Sequence, residues 1–189
     1  MSSVRKKILA AASENFRKHG IRRTSIECIA GESGISKKTV YVYFDSKNDI
    51  VKTLAERLRK DLEELFGEMD SPTYRFEDAA GAFAEMAFRI FPSYGLNFLQ
   101  DIYRYFKEEW NELEKVRKRS LRKMGRLIEK GKIEGRIRKE IEPSVVVNGL
   151  IAFVDRVGNP EFLIKNGLGT ETVFDTIKIV FLEGLYVRN

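Results

Sequence analysis

Apolar residues recur along this chain at the three- and four-residue spacing of a helix face, and the strict alternation that marks a half-buried strand is missing. Near the start, Ile8, Ala12 and Phe16 fall at i, i+4 and i+8, which predicts a helix over residues 3–19 closed by Gly20. Thr24, with Glu27 three positions on, reads as a capping box that opens a second helix buried on Ile26, Ile29 and Ala30. Gly34 supplies a turn, Ile35 an apolar plug, and Ser36 an N-cap for a short third helix from Lys37 to Phe44. Ser46 caps a fourth helix, with Asp49 at its third position and Ile50, Leu54, Leu58, Leu62 and Leu65 along its inner side.

The remainder keeps the helical character. Pro72, Pro92, Pro143 and Pro160 read as punctuation between helices, because a proline inside a helix costs about 3 kcal/mol. Two terminal helices are predicted, over 143–157 and 170–187, each apolar on more than one side. Val146, Leu150, Phe153 and Val157 stripe the first; Phe174, Ile177, Phe181 and Leu185 stripe the second. A pair with so little polar surface wants a partner beyond its own domain, and two pairs closing a four-helix bundle about a two-fold axis would make a homodimer. The expected fold class is therefore all-α. A three-helix domain at 1–46 precedes a larger helical domain at 47–189, and helix 47–69 links them.

Composition sharpens this reading. Of 189 residues, 43% are hydrophobic and 33% charged with mixed sign, the balance of a folded, helix-rich protein and not of a disordered one. No apolar run nears the roughly 18 residues of a membrane span, and Ile8–Ala12, between Arg5, Lys6, Lys7 and Glu14, lacks the form of a secretion signal. A cytoplasmic protein without membrane association is expected. The net charge of +6 is uneven: residues 1–50 hold ten Lys/Arg against five Asp/Glu, while 51–189 hold 24 against 23. Such an N-terminal basic excess is the electrostatic footprint of a nucleic-acid reader, although basic surfaces also serve solubility.

Two short helices joined by a glycine turn, the second capped and basic, make a helix-turn-helix. The reading helix must bury one side, here Val40 and Phe44, and offer the other to the major groove. Lys37, Lys38, Thr39, Tyr41 and Tyr43 are the candidates to do so. Lysine neutralises phosphate or reaches guanine, threonine offers a hydroxyl and a methyl, and tyrosine bonds phosphate while packing on sugar. In isolation, Tyr41 and Tyr43 would read as core aromatics. Enzymatic chemistry has little to work with: one histidine (His19), one cysteine (Cys28) and no metal-ligand spacing, so neither metal, cofactor nor catalytic residue is expected.

The run Gly34-Ile35-Ser36-Lys37-Lys38-Thr39-Val40-Tyr41-Val42-Tyr43-Phe44-Asp45-Ser46-Lys47 resembles the signature of the TetR-type repressors, and Phe16, Gly20, Thr24, Ile29 and Ala30 fit its lead-in. The resemblance covers about a quarter of the chain. Lys38 and Val42 depart from the residues common in the family, which leaves the operator sequence open. It implies that Thr39, Tyr43 and Lys47 contact phosphates and that Lys37, Lys38, Tyr41 and Val42 face bases. Ser36 belongs to the same DNA-facing surface, and Thr24 or Ser25 would donate to a phosphate at the start of helix two, where free amides favour an anion.

The resemblance also bears on residues 71–114, which hold 11 of the 21 aromatics. These suit either an aromatic-rich core or the walls of a pocket for an apolar or aromatic effector, and a family whose larger domain binds inducers implies the pocket. Phe83, Met86, Phe98, Ile102, Phe106 and Trp110 are the candidate lining, with Asn148 and Asp155 to orient the ligand or to serve an interface. The family's dimers form through the terminal helices, as predicted here. Residues 115–139 carry twelve Lys/Arg and two Glu, first of all a solvated helix face. Gly131-Lys132 and Gly167-Leu168-Gly169 fit neither a phosphate loop nor a dinucleotide fingerprint. The expected protein is a ligand-responsive repressor that binds a pseudo-palindromic double-stranded DNA operator as a homodimer. The competing reading is a nucleoid-associated DNA-binding protein without an inducer.

Overall fold

In the first third of the chain, helices form where apolar spacing and caps coincide. The computed structural model describes residues 3–71, 73–157 and 159–185, with the side chains of 80, 83, 84, 87, 88, 154 and 181–183 excluded. Helix α1 spans Ser3–His19, α2 Ile26–Ser33, α3 Lys37–Tyr43 and α4 Lys47–Gly67, which runs into a 3₁₀ turn at Glu68–Asp70. Ile8, Ala12 and Phe16 are buried, as are Ile50, Leu54, Leu58 and Leu62, while Leu65 is half-buried. Ser36 and Ser46 cap α3 and α4, accepting from the amides of Thr39 and Asp49. Gly34 closes α2 at φ 67°, a conformation glycine adopts without strain.

The cap of α2 differs from the expected Thr24–Glu27 box. Ser25 is the N-cap, accepting from the Cys28 amide at 3.2 Å. Thr24 is turned inward, 2% exposed, and donates to the Gly20 carbonyl at 2.8 Å. The end of α1 leaves carbonyls that need donors, and the Thr24 hydroxyl answers that need instead of capping the next helix.

Farther along, α5 spans Phe76–Glu85 and continues through a π turn at Met86–Ile90 into α6, Phe91–Tyr94. Pro92 thus fails to break the helix. The wider turn before it, in which the Phe91 amide reaches back to the Met86 carbonyl, gives the ring room, and the break falls at Gly95 (φ 82°). Next come α7 (Leu96–Tyr105), the long α8 (Lys107–Ile133) and α9 (Pro143–Val157). A short α10 at Pro160–Asn166 was not anticipated, though Asn159, Pro160 and Gly167 are its cap, first residue and stop. The last segment is shorter than 170–187: α11 covers Thr170–Ile177, followed by a π turn at Lys178–Leu182 and a 3₁₀ turn at Glu183–Leu185. No β-strand occurs among the described residues, and no helix there is long and apolar enough to cross a membrane.

One continuous core runs from Ile8 to Leu185, so the small N-terminal unit is welded to the larger one. The weld lies where α7 meets the end of α1. Phe98 stacks on Phe16 with ring centroids 6.1 Å apart. Asn97 donates to the Arg17 and Lys18 carbonyls at 3.2 and 3.0 Å, and Asp101 accepts from the Ile21 and Arg22 amides at 2.7 and 3.2 Å. Backbones approach closely there, since a Cβ on Gly95 would stand 3.0 Å from the Arg17 Cα, and one on Gly20 would stand 2.8 Å from the Asp101 carboxylate. Gly20 itself has φ 79°. Gly20→Ala should therefore cost about 1–3 kcal/mol and lower the thermal midpoint by about 2–10 °C, read by circular dichroism. A midpoint matching the parent's would contradict this account of the weld.

Candidate nucleic-acid interface and effector cavity

α3 is held by its inner side and free on its outer one. Val40 and Phe44 are 0% and 1% exposed, and the Arg5 guanidinium lies 4.7 Å over the Phe44 ring. Tyr41 and Val42 are 46% and 73% exposed, a degree of apolar exposure that a lone domain would not favour without a surface to meet. Lys37 and Lys38 are exposed, while Thr39 and Tyr43 are half-buried. Ser36 is exposed, but its oxygen caps the helix and also lies 2.8 Å from the Thr39 hydroxyl. Lys38 has no carboxylate partner among the described residues, unlike Lys37, which pairs with Glu27 of α2.

Glu27 is the feature of this face that the sequence pattern hid by suggesting a capping role. Its pairing with Lys37 holds its carboxyl at about 2, against a usual value of 4.5. The pair therefore stays ionised throughout the physiological range and bridges α2 to α3 on the reading surface. Ser25 is exposed at the start of α2, where its side chain can meet a phosphate, while Thr24 is directed inward. Lys47 is half-buried and donates to the Ile21 and Thr24 carbonyls, both at 2.8 Å. It therefore joins α4 to the turn between α1 and α2.

Deeper in the molecule, a cavity of about 300 Å³ lies between α4, α7 and α8. Leu58, Leu62 and Phe66 come from α4, Leu96, Leu99 and Tyr103 from α7, and Trp110 and Leu113 from α8. Its polar end holds Glu114, Arg117 and Asp155. Of the expected lining, Met86, Trp110 and Asp155 are brought together there. Phe98 and Ile102 are instead buried on the other side of α7, facing the core, and Phe106 is half-buried against that core. Asn148 is exposed on α9, and the Phe83 side chain lies outside the described residues. A more open groove of about 790 Å³ between α4 and α8 has walls of charged side chains of both signs, among them Lys52, Glu56, Arg59, Glu112 and Lys118.

The apolar stripes expected at the dimer interface divide. Leu150, Phe174 and Leu185 are buried within the protomer, Val146, Phe153, Val157 and Ile177 are half-buried, and the Phe181 side chain lies outside the described residues. The residues left bare on these elements are others: Val145 at 67%, Ile179 at 63% and Val180 at 62%. A helix apolar on two sides turns one of them to its own core, and the pattern does not say which.

A rigidly anchored, outward-facing α3 behind a glycine turn, on an all-helical body with an apolar cavity, defines a helix-turn-helix transcriptional regulator. Residues 8–54 match the N-terminal domain of the TetR family of bacterial regulatory proteins. The chain is similar to the uncharacterized HTH-type transcriptional regulator YvaF of Bacillus subtilis, 24% identical over 183 residues, covering 95% of this chain and 94% of that protein. Among solved structures, it superposes on the ketosteroid transcriptional regulator KstR2 of Mycobacterium tuberculosis with a TM-score of 0.70 at 20% identity, covering 100% and 97% of the two chains. It is also similar to the transcriptional regulator FadR of Bacillus subtilis in complex with stearoyl-CoA, with a TM-score of 0.57 at 16% identity and coverage of 96% and 100%.

The two lysines make a discriminating pair. Lys47→Met removes the donor to two carbonyls and should cost about 1–3 kcal/mol of stability, together with DNA affinity. Lys38→Met should leave the melting curve unchanged and weaken DNA binding alone. Thermal melts beside fluorescence anisotropy on labelled DNA would separate them. Equal stability of the Lys47 variant and the parent would remove Lys47 from the scaffold.

Proposed function

We propose that this regulator is a repressor that binds a pseudo-palindromic operator as a homodimer and is released when a small apolar molecule enters the α4–α7–α8 cavity. One observation carries the reading: two of the helices that wall the cavity, α4 and α7, also hold the reading head. α7 gives Leu96, Leu99 and Tyr103 to the cavity, and Asn97, Phe98 and Asp101 to α1 and its following turn. α4 gives Leu58, Leu62 and Phe66 to the cavity, and Lys47 to the same turn. A ligand that spreads α4 from α7 would thus tilt α1–α3.

In this reading Lys37, Lys38, Tyr41 and Val42 meet base edges, while Ser25, Ser36, Thr39, Tyr43 and Lys47 position the head on phosphates. Thr24 supports the turn from within. Val145, Ile179 and Val180 form the apolar centre of a two-fold interface that sets two heads one DNA turn apart, roughly 34–36 Å. The solved neighbours named for ketosteroid regulation and for a stearoyl-CoA complex support an apolar effector. The nucleoid-protein alternative has no use for an apolar cavity wired to the reading head. The protein acts in the cytoplasm, where its DNA is.

Binding to DNA upstream of its own gene, or to a site selected from random duplexes, should be specific and should fall steeply with salt, by a slope of about −0.9 per phosphate contact. Tyr43→Ala should lose at least about tenfold in affinity. Coupling is reciprocal, so an effector that weakens operator binding must itself bind more weakly, by the same factor, to the operator complex. Identical effector affinity with and without operator would remove the inducer from the mechanism. Ile179→Glu should yield monomers in analytical ultracentrifugation and weaken operator binding; a dimeric variant would place the interface elsewhere.

A further inference from the structure

The polar end of the cavity carries a charge balance that selects among effectors. Arg117 of α8 donates from Nε to Glu114 at 2.9 Å and from Nη2 to Glu114 at 2.5 Å, and Nη2 also pairs with Asp155 of α9. Its side chain is 13% exposed, against 22% for Glu114 and 49% for Asp155. The remaining nitrogen, Nη1, is buried and finds no acceptor among the described residues. A buried donor without a partner costs about 1–3 kcal/mol, so this end of the cavity favours an incoming acceptor oxygen.

Charge narrows the choice further. The charged residues lining the cavity are two carboxylates and one guanidinium, so the site is net negative. An anionic head would meet that excess where the low dielectric strengthens repulsion. A cationic ammonium carries donors only and cannot satisfy Nη1. We infer that the effector is a neutral amphiphile, an apolar body against Trp110, Leu99 and Phe66 with an uncharged acceptor oxygen, such as a ketone, ester or lactone carbonyl, at Arg117. The inference rests on the cavity being the effector site, as proposed above.

Trp110 is the chain's single tryptophan and lines the cavity, so its emission reports occupancy directly. Methyl decanoate, decanoate and decylamine share one chain length and differ in head charge. Titrated into the full-length protein below their micellar concentrations, the neutral ester should shift Trp110 emission with a Kd at least about tenfold lower than either charged probe. Asp155→Asn, at a half-exposed position that should not disturb folding, should remove the excess charge and tighten decanoate binding by about tenfold, closing most of the gap. Decanoate or decylamine binding the parent as tightly as the ester would overturn the neutral-head assignment and leave the effector site standing. So would an unchanged ester-to-decanoate ratio in Asp155→Asn. No response of Trp110 to any probe would overturn both this inference and the effector part of the proposed function.

Discussion

The placement of the reading helix depends on how the end of α1 is held. A helix terminus leaves carbonyls without partners, and the turn that follows leaves amides likewise. Here three residues from elsewhere in the chain meet those needs: Asn97 at the α1 carbonyls, Asp101 at the amides of Ile21 and Arg22, and Lys47 at the carbonyls of Ile21 and Thr24. The site is too tight for side chains at Gly20 and Gly95. The reading helix is thus set in space by hydrogen bonds to α4 and α7, and not by its own short contact with α2 alone.

How much of this was legible depends on the range of the interaction. Ser36, Gly34 and Ser46 act within four residues of themselves, and the pattern placed them correctly. Thr24 and Pro92 were misread because their roles are set by neighbours the local pattern does not weigh: a carbonyl at Gly20 for one, a π turn for the other. Asp101 lies 80 residues from Ile21, and no spacing rule connects them. The candidate cavity residues show the same limit. α7 is apolar on two sides, and aromatic content alone could not tell that Phe98 faces α1 while Leu99, one residue on, faces the cavity. Arg117 was hidden within a basic run read as solvated, yet its guanidinium is among the most enclosed charges described, because α9 and Glu114 fold over it.

The acid on the DNA face has a physical sense of its own. A reading surface built only of cations binds any duplex, since phosphate attraction is independent of sequence. Glu27 neutralises Lys37 in the free protein and keeps it pointed along α2. In the proposed reading, DNA that draws on Lys37 would also have to accommodate the carboxylate, which a cytosine amino group does and a phosphate does not. On the proposed DNA face, an acidic residue would lower non-specific affinity more than specific affinity, a division that suits a regulator among many competing sites.

The size of the holding interactions also suits a switch. At the α1 end, an amide hydrogen bond such as Asn97's contributes on the order of 0.5–1.5 kcal/mol and a charged one about 1.5–3 kcal/mol, while the coupling between effector and ligand in allosteric proteins is typically about 1–3 kcal/mol. Disturbing one or two such bonds is enough to change occupancy of an operator severalfold to a hundredfold, with no need to unfold a helix. The cavity-facing and α1-facing residues of α7 lie along the same two turns, Leu96 and Leu99 against Asn97 and Asp101. A rotation of that helix by a fraction of a turn therefore acts on both at once. In the proposed reading, the polar end of the cavity is well placed to take part, because Arg117 lies on α8, and α8 packs against both helices that hold the reading head.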